Sequence, residues 1–217
     1  MGADPHADSW HYDLPGDLVA RTPAVDRTSA RLFHWDAVDG GLAGEHVVGD
    51  LDSLLQPGDV LVVKDSGVRP AGLWARRPAT GGRVELLLTD PVGDGGWGAL
   101  ARPARKLSLG DVLDLETHDG GSVSGAVQVT AEAVDGRVEV RGVEEDLADL
   151  AEAHGRMPLP PYILKARRDD GLGDGHPDDE QRYQTVYARD TGSVAAPTAG
   201  LHIDDDLIAR LRARGIA

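Results

Sequence analysis

The sequence predicts an α/β protein: a large α/β domain interrupted by a small antiparallel β-barrel. Three observations carry this reading. The first third mixes short helices with strands, and the last third ends in a well-signed helix. The middle third holds short strands separated by Gly- and Asp-rich turns with no helix between them, the pattern of a small barrel. With 217 residues, 41 % of them hydrophobic, the chain is long and apolar enough to bury a core. The predicted division is 1–71 for the first part of the large domain, 72–145 for the barrel and 146–217 for the second part.

Taken in order, "YDLPGDLVARTP" reads as a turn and a short helix ending before Pro23. "SARLFHWDAV" and "GLAGEHVV" are strands flanking an Asp-Gly-Gly turn at residues 39–41, a hairpin. "LDSLLQ" is a short helix, the Pro-Gly-Asp after it a turn, and residues 60–63 a buried strand that stops at Lys64, Asp65 and Ser66. "GRVELLLTD", "GWGALAR", "DVLDLETH", "VSGAVQVTAEAV" and "GRVEVRGV" are the barrel strands. "EEDLADLAEAHG" is a helix with Gly155 as its stop. "RMPLPPYILK" reads as stiff and extended, and "ARRDDGLGDGHPDDEQ" as a polar, mobile loop. The "GLGDGH" within it follows no strand and opens no apolar helix, so it is not a dinucleotide fingerprint. "RYQTVYA" is a short helix or strand. In the final helix Asp204, Asp205 and Asp206 suit the first turn, Arg210, Arg212 and Arg214 the last, and Gly215 the stop, with Leu207, Ile208 and Leu211 on the apolar face.

Composition bounds the function. No window approaches a membrane span, and "MGADPHADSW" lacks an apolar leader region, so a soluble cytoplasmic protein is expected. The absence of cysteine removes disulfides, thiolate metal sites and a cysteine nucleophile. The histidines show no metal-ligand spacing with carboxylates, so no metal is expected. A formal charge of −15 opposes generic nucleic-acid binding. Its cations are nevertheless clustered: Arg102, Arg105 and Lys106; Lys165, Arg167 and Arg168; Arg210, Arg212 and Arg214. All of the 22 cations except Lys64, Lys106 and Lys165 are arginine, which favours planar two-pronged contacts but also fits a coding bias.

The segment "GSVAAPTAGLH" is built of very small residues stiffened by Pro197. It suits a loop whose backbone approaches a ligand, with Ser193 and Thr198 as hydrogen-bonding groups; it equally suits a tight turn packed on a helix. Asp65 at a strand end is one acid–base candidate and His202 the other, though such a His is also a common structural hydrogen-bonder. Tyr183 and Tyr187 could stack on a nucleobase or fill the core.

Several motifs then occur in a recognisable order: "YDLP" with the Pro23, Arg27, Arg31-Leu32 spacing, "LQPGDVLVVKDS", "GGRVELLL", "WGALARPARKL", "GRMPLPPYI", "RYQTVYA" and "GSVAAPTAGLH". From Tyr12 onward the chain resembles the S-adenosylmethionine:tRNA ribosyltransferase-isomerase family of queuosine biosynthesis. The resemblance implies an α/β domain interrupted by a β-barrel. It implies transfer of the ribosyl group of S-adenosylmethionine onto a 7-aminomethyl-7-deazaguanine in the tRNA anticodon, giving epoxyqueuosine and releasing adenine and methionine. S-adenosylmethionine is then a co-substrate, with no separate cofactor. By the same resemblance Ser193, Thr198 and His202 line the donor or base pocket, and Tyr183 and Tyr187 pack on adenine or the deazaguanine. Arg182, Lys165, Arg102, Arg105 and Lys106 become phosphate or substrate contacts. Where the family reads Asn-Asp-Thr-Arg-Val-Ile-Pro-Ala-Arg-Leu this chain reads "KDSGVRPAGL", so Lys64 replaces an amide, Gly67 and Gly72 replace arginines and Arg69 an apolar residue. The family also continues into further strands and helices. Three readings therefore stand open: a fragment, a half completed by a partner chain, or a shortened relative, either catalytic or binding S-adenosylmethionine or RNA without turnover.

Overall fold

A computed structural model of the chain describes residues 12–217. The expected lack of an apolar leader at residues 1–10 lies outside these. The fold mixes helices and strands. Strands β1 (Arg31–Asp36) and β2 (Gly41–Val47) form the expected hairpin, with a register shift between His34 and Trp35. After α1 (Leu51–Leu54), a short β3 (Ser66–Val68) pairs in parallel with β10 (Asp190–Ser193), a contact across most of the chain.

The middle third is a closed antiparallel barrel. Its strands are β4 (Gly72–Arg76), β5 (Arg83–Val92), β6 (Gly96–Arg102), β7 (Val112–Glu116), β8 (Ser122–Val129) and β9 (Arg137–Gly142). They are ordered β4-β5-β6-β9-β8-β7, and β7 pairs back onto β4 at Ala75–Leu115. Strict alternation builds its interior: Leu73 and Ala75, Val84, Leu86 and Leu88, Leu113 and Leu115, Val127 and Val129, Val138 and Val140 all point inward and are buried. The sequence pattern located five of these strands; β4 escaped it because Gly72, Trp74 and Arg76 interrupt a run of only two inward apolar residues.

Helix α2 (Leu147–His154) closes one end of the barrel with Leu147, Leu150 and Ala151. Asp146 caps it by accepting from Ala148 N at 2.7 Å. Gly155 ends it as expected, and only glycine fits, because a Cβ there would collide with the carbonyl oxygens of Pro70 and Ala151. Arg156 then pairs with Gly72 through two backbone hydrogen bonds of 2.7 and 3.0 Å, fixing the following segment to the barrel wall.

Three expectations change, the first being "RYQTVYA", which is neither helix nor strand beyond Arg182 but runs on as turns. "RMPLPPYILK" is extended only as far as Pro160; Pro161 opens a helix, α3 (Pro161–Asp169), at a position where a missing N–H costs nothing. The "mobile loop" therefore shrinks to the stretch between α3 and α4 (Asp179–Arg182). Residues 60–63 form no assigned strand, and they are not buried: Val60 is 69 % and Val62 88 % exposed. A continuous apolar run is buried on both faces only when layers cover both. Here one face is covered, where Leu61 packs with Leu207 and Leu211 of α5 (Asp205–Ala213). The segment's backbone meets residues 215–217 through Gly58 N to Gly215 O (2.9 Å) and Leu61 N to Ala217 O (2.6 Å). Helix α5 itself is as expected: Asp204 caps it from Leu207 N at 2.8 Å, and Gly215 takes a left-handed φ of 77° behind it. Among the described residues no helix is long and apolar enough to cross a membrane.

Candidate functional site

A pocket of about 250 Å³ lies where four sequence-distant segments meet, none of them a barrel strand, and is small by the usual standard of ligand cavities. The stretch from Ala20 to Arg27 forms one wall. Leu159 and Pro160, then Tyr162, Ile163 and Arg167 of α3, form a second. Asp179, Arg182 and Tyr183 close a third side, and the 3-10 turn Thr198–His202 the last.

The clamp that holds these walls is the pair Arg167–Asp179. The guanidinium is 3 % exposed and grips both carboxylate oxygens at 2.6 and 2.7 Å. Its Nε donates to Arg21 O at 2.6 Å, tying in the N-terminal wall. Asp179 in turn accepts from His176 N at 2.9 Å. The hydrogen bonds to Asp179 hold Arg167 above its ordinary pKa, against its desolvation.

Arg27 and Arg182 lace the opposite corner. Arg27 donates to Leu201 O (2.8 Å) and Gln181 O (3.0 Å); Arg182 donates to Val25 O (2.9 Å) and Ala24 O (2.7 Å). Each crosses to the other's segment. Burial, then the charge of Arg182, lowers the Arg27 pKa, with Asp204 opposing. His202 stands at the rim, pushed below the ordinary histidine value by partial burial first and then by Arg27 and Arg182. A neutral imidazole there can accept a proton or a hydrogen bond.

Tyr183, Thr198, His202 and Arg182 all line this pocket. Tyr183 is buried against Val68, Leu159 and Ala196, and burial raises its phenol pKa. Tyr187 goes elsewhere: it packs with Ile203, Leu207 and Leu211 beneath the 3-10 turn, its hydroxyl so close to Gly200 that no Cβ fits. The small residues of "GSVAAPTAGLH" thus serve packing at Gly200 and Ala196 and pocket lining at Thr198.

Other expected site residues lie outside the pocket. Ser193 is engaged by Lys64, whose Nζ donates to its Oγ at 2.7 Å, and by the Ala195 backbone. Asp65 does not end a buried strand, because that stretch is exposed; its carbonyl oxygen accepts from Arg189 N at 2.7 Å. Arg102, Arg105 and Lys106 are exposed at the end of β6 with no carboxylate in ion-pair range among the described residues. Lys165 is exposed and paired with Asp169 at 2.5 Å. Tyr162 and Asp179 carried no expectation from the sequence, and Arg27 and Arg167 entered only as part of a motif spacing and a cation cluster. The Pro23–Arg27 spacing pointed at Arg27; no local signal marks Asp179 as the partner of Arg167.

A family model described as "Queuosine biosynthesis protein" matches residues 7–217. The chain belongs to that family. Among its curated relatives, the S-adenosylmethionine:tRNA ribosyltransferase-isomerase of Rhodospirillum rubrum is 44 % identical over 212 residues, 97 % of this chain and 56 % of that protein. The enzyme of the same name from Desulforamulus reducens is 39 % identical over 211 residues, 96 % of this chain and 57 % of the relative. The chain thus spans little more than half the length of the queuosine-family relatives it matches. A crystal structure of S-adenosylmethionine tRNA ribosyltransferase from Thermotoga maritima shares 23 % identity, with 94 % of this chain and 54 % of the other covered and a TM-score of 0.33.

Proposed function

We propose that this chain acts in ribosyl transfer from S-adenosylmethionine to a 7-aminomethyl-7-deazaguanine in a tRNA anticodon, releasing adenine and methionine and leaving epoxyqueuosine. The observation that carries the reading is the convergence of Arg182, Tyr183, Thr198 and His202, drawn from two of the family motifs, on one pocket. The pocket takes part of the donor: Tyr183, Leu159 and Ile163 supply apolar surface for a flat ring, and Thr198 a hydroxyl. The sulfonium acidifies the neighbouring ribose carbon, and His202, neutral near pH 7, is the base candidate supported by position. S-adenosylmethionine is consumed, and no cofactor or metal step is invoked. The barrel is an insert in an α/β domain formed by residues 1–71 and 146–217. Arg102, Arg105 and Lys106 at the barrel rim are the candidate RNA phosphate contacts, a local patch on an acidic protein. The work is placed in the cytoplasm, with tRNA as partner and, by the length of the relatives, a further polypeptide segment to complete the site.

A second reading, binding of S-adenosylmethionine or RNA without turnover, is favoured by one observation: Asp65 lies outside the pocket that holds His202. Release of adenine and methionine from S-adenosylmethionine, with tRNA carrying the deazaguanine, separates the two. Product with the mass of epoxyqueuosine supports the first. Saturable S-adenosylmethionine binding with no release, even after the remaining portion of a relative is added, supports the second.

A further inference from the structure

Two cations facing the same pocket form no ion pair with any carboxylate among the described residues. Arg27 and Arg182 are both half-buried. Among the described residues their hydrogen-bond partners are all backbone carbonyls: Leu201 and Gln181 for the first, Ala24 and Val25 for the second. Carbonyl oxygens orient a guanidinium but do not cancel its charge. Each guanidinium carries five N–H donors and spends two. The Nε of Arg182 is buried without a partner. The other basic groups nearby behave differently: Arg167 is saturated by Asp179, and Arg21 pairs with Asp170 at 2.7 Å. Asp204 acts on Arg27 only through its charge, its carboxylate accepting from Leu207 N instead.

Two permanent charges held side by side, partly desolvated and short of acceptors, repel each other unless an anion sits between them. Their crossed backbone contacts keep them from swinging apart into water. Thr198 and His202, on the same rim, add a hydroxyl and an imidazole.

From this we propose that Arg27 and Arg182 form an anion subsite in the pocket, with Thr198 and His202 at its edge, that takes a carboxylate or phosphate oxyanion. Arginine forks match such planar or tetrahedral oxygens in pairs. The subsite rests on the reading of this pocket as the ligand site, and it orients that ligand by its charged end. The oxyanion has two sources: the amino-acid carboxylate of a small molecule, or a phosphate of the RNA.

Simple anions test it without any turnover. Inorganic phosphate and acetate are titrated against the chain, followed by thermal shift and by broadening of the ligand NMR signal. Saturable binding is expected, weakened about tenfold or more in Arg27→Gln and in Arg182→Gln, the size of a hydrogen bond to a charged group. L-Methionine against 3-(methylthio)propylamine, which lacks the carboxylate, reports the first source; a 5′-phosphorylated dinucleotide against its unphosphorylated form reports the second. Because both arginines also lace backbone segments, phenylglyoxal modification of the wild-type chain provides a second measure. Phosphate should slow modification of Arg27 and Arg182 selectively. No binding of any anion, binding unchanged in folded variants, or modification unaffected by phosphate would each overturn the subsite. Absent turnover with intact anion binding would instead count against the proposed reaction alone.

Discussion

Arg167 of α3 and Asp179 of α4 meet in a two-pronged ion pair, 2.6 and 2.7 Å, with the guanidinium 3 % exposed. The contact spans a glycine-rich stretch with little apolar content, and it is what gives the pocket two of its walls. Truncating Asp179 leaves a buried guanidinium without its counter-charge, and truncating Arg167 leaves a largely covered carboxylate without its own. Arg167→Ala or Asp179→Ala should therefore cost about 3–5 kcal/mol, whereas the paired replacement Arg167→Met with Asp179→Leu should cost much less. Urea unfolding of the single and double variants measures both; equal losses in all three would refute the pairing argument.

His202 makes stability depend on pH with a definite sign. Its folded pKa lies below the unfolded value, so the folded state binds fewer protons in that window. Its contribution is complete above about pH 6.5, the unfolded value, and is lost as pH falls through the folded one. The wild-type melting temperature should fall across this range more steeply than that of His202→Gln. Parallel curves would show that the imidazole is perturbed neither by burial nor by Arg27 and Arg182. The NMR titration of the ring gives the shift directly.

Gly200 is a packing glycine. A methyl there meets the Tyr187 hydroxyl and lies 3.1 Å from Thr185 Cγ2. Gly200→Ala should lose about 1–3 kcal/mol by overpacking. Adding Tyr187→Phe removes the obstructing oxygen and should recover part of the loss. A second substitution that makes matters worse would place the clash elsewhere.

The barrel-rim cations give a salt-dependence test. Replacing Arg102, Arg105 and Lys106 with glutamine should weaken tRNA binding uniformly, and the slope of log affinity against log salt should shrink by about 1 per lost phosphate contact. Filter binding across a salt series measures it. An unchanged slope would remove this patch from the RNA surface.

Much of the fold was legible because it obeys local rules. Alternating apolar residues over short runs placed five barrel strands, and Gly155, Asp204 and Gly215 marked helix ends through capping chemistry that needs no distant partner. The motif order identified the family.

What remained for the tertiary structure was everything decided by a partner far along the chain. Tyr183 and Tyr187, four residues apart, could share one face of a continuous helix; α4 ends at Arg182, so one enters the pocket wall and the other the α5 core. Val60 and Val62 read as buried because hydrophobicity is a property of a residue, while burial is a property of what covers it, and only Leu61 finds cover. Arg27 acquires its neighbours from residues more than 150 positions away. By itself, then, the sequence determined most of the barrel strands, the limits of α2 and α5, and the family. Which charges are compensated, and which are left facing the pocket, depends on long-range packing that no local pattern encodes.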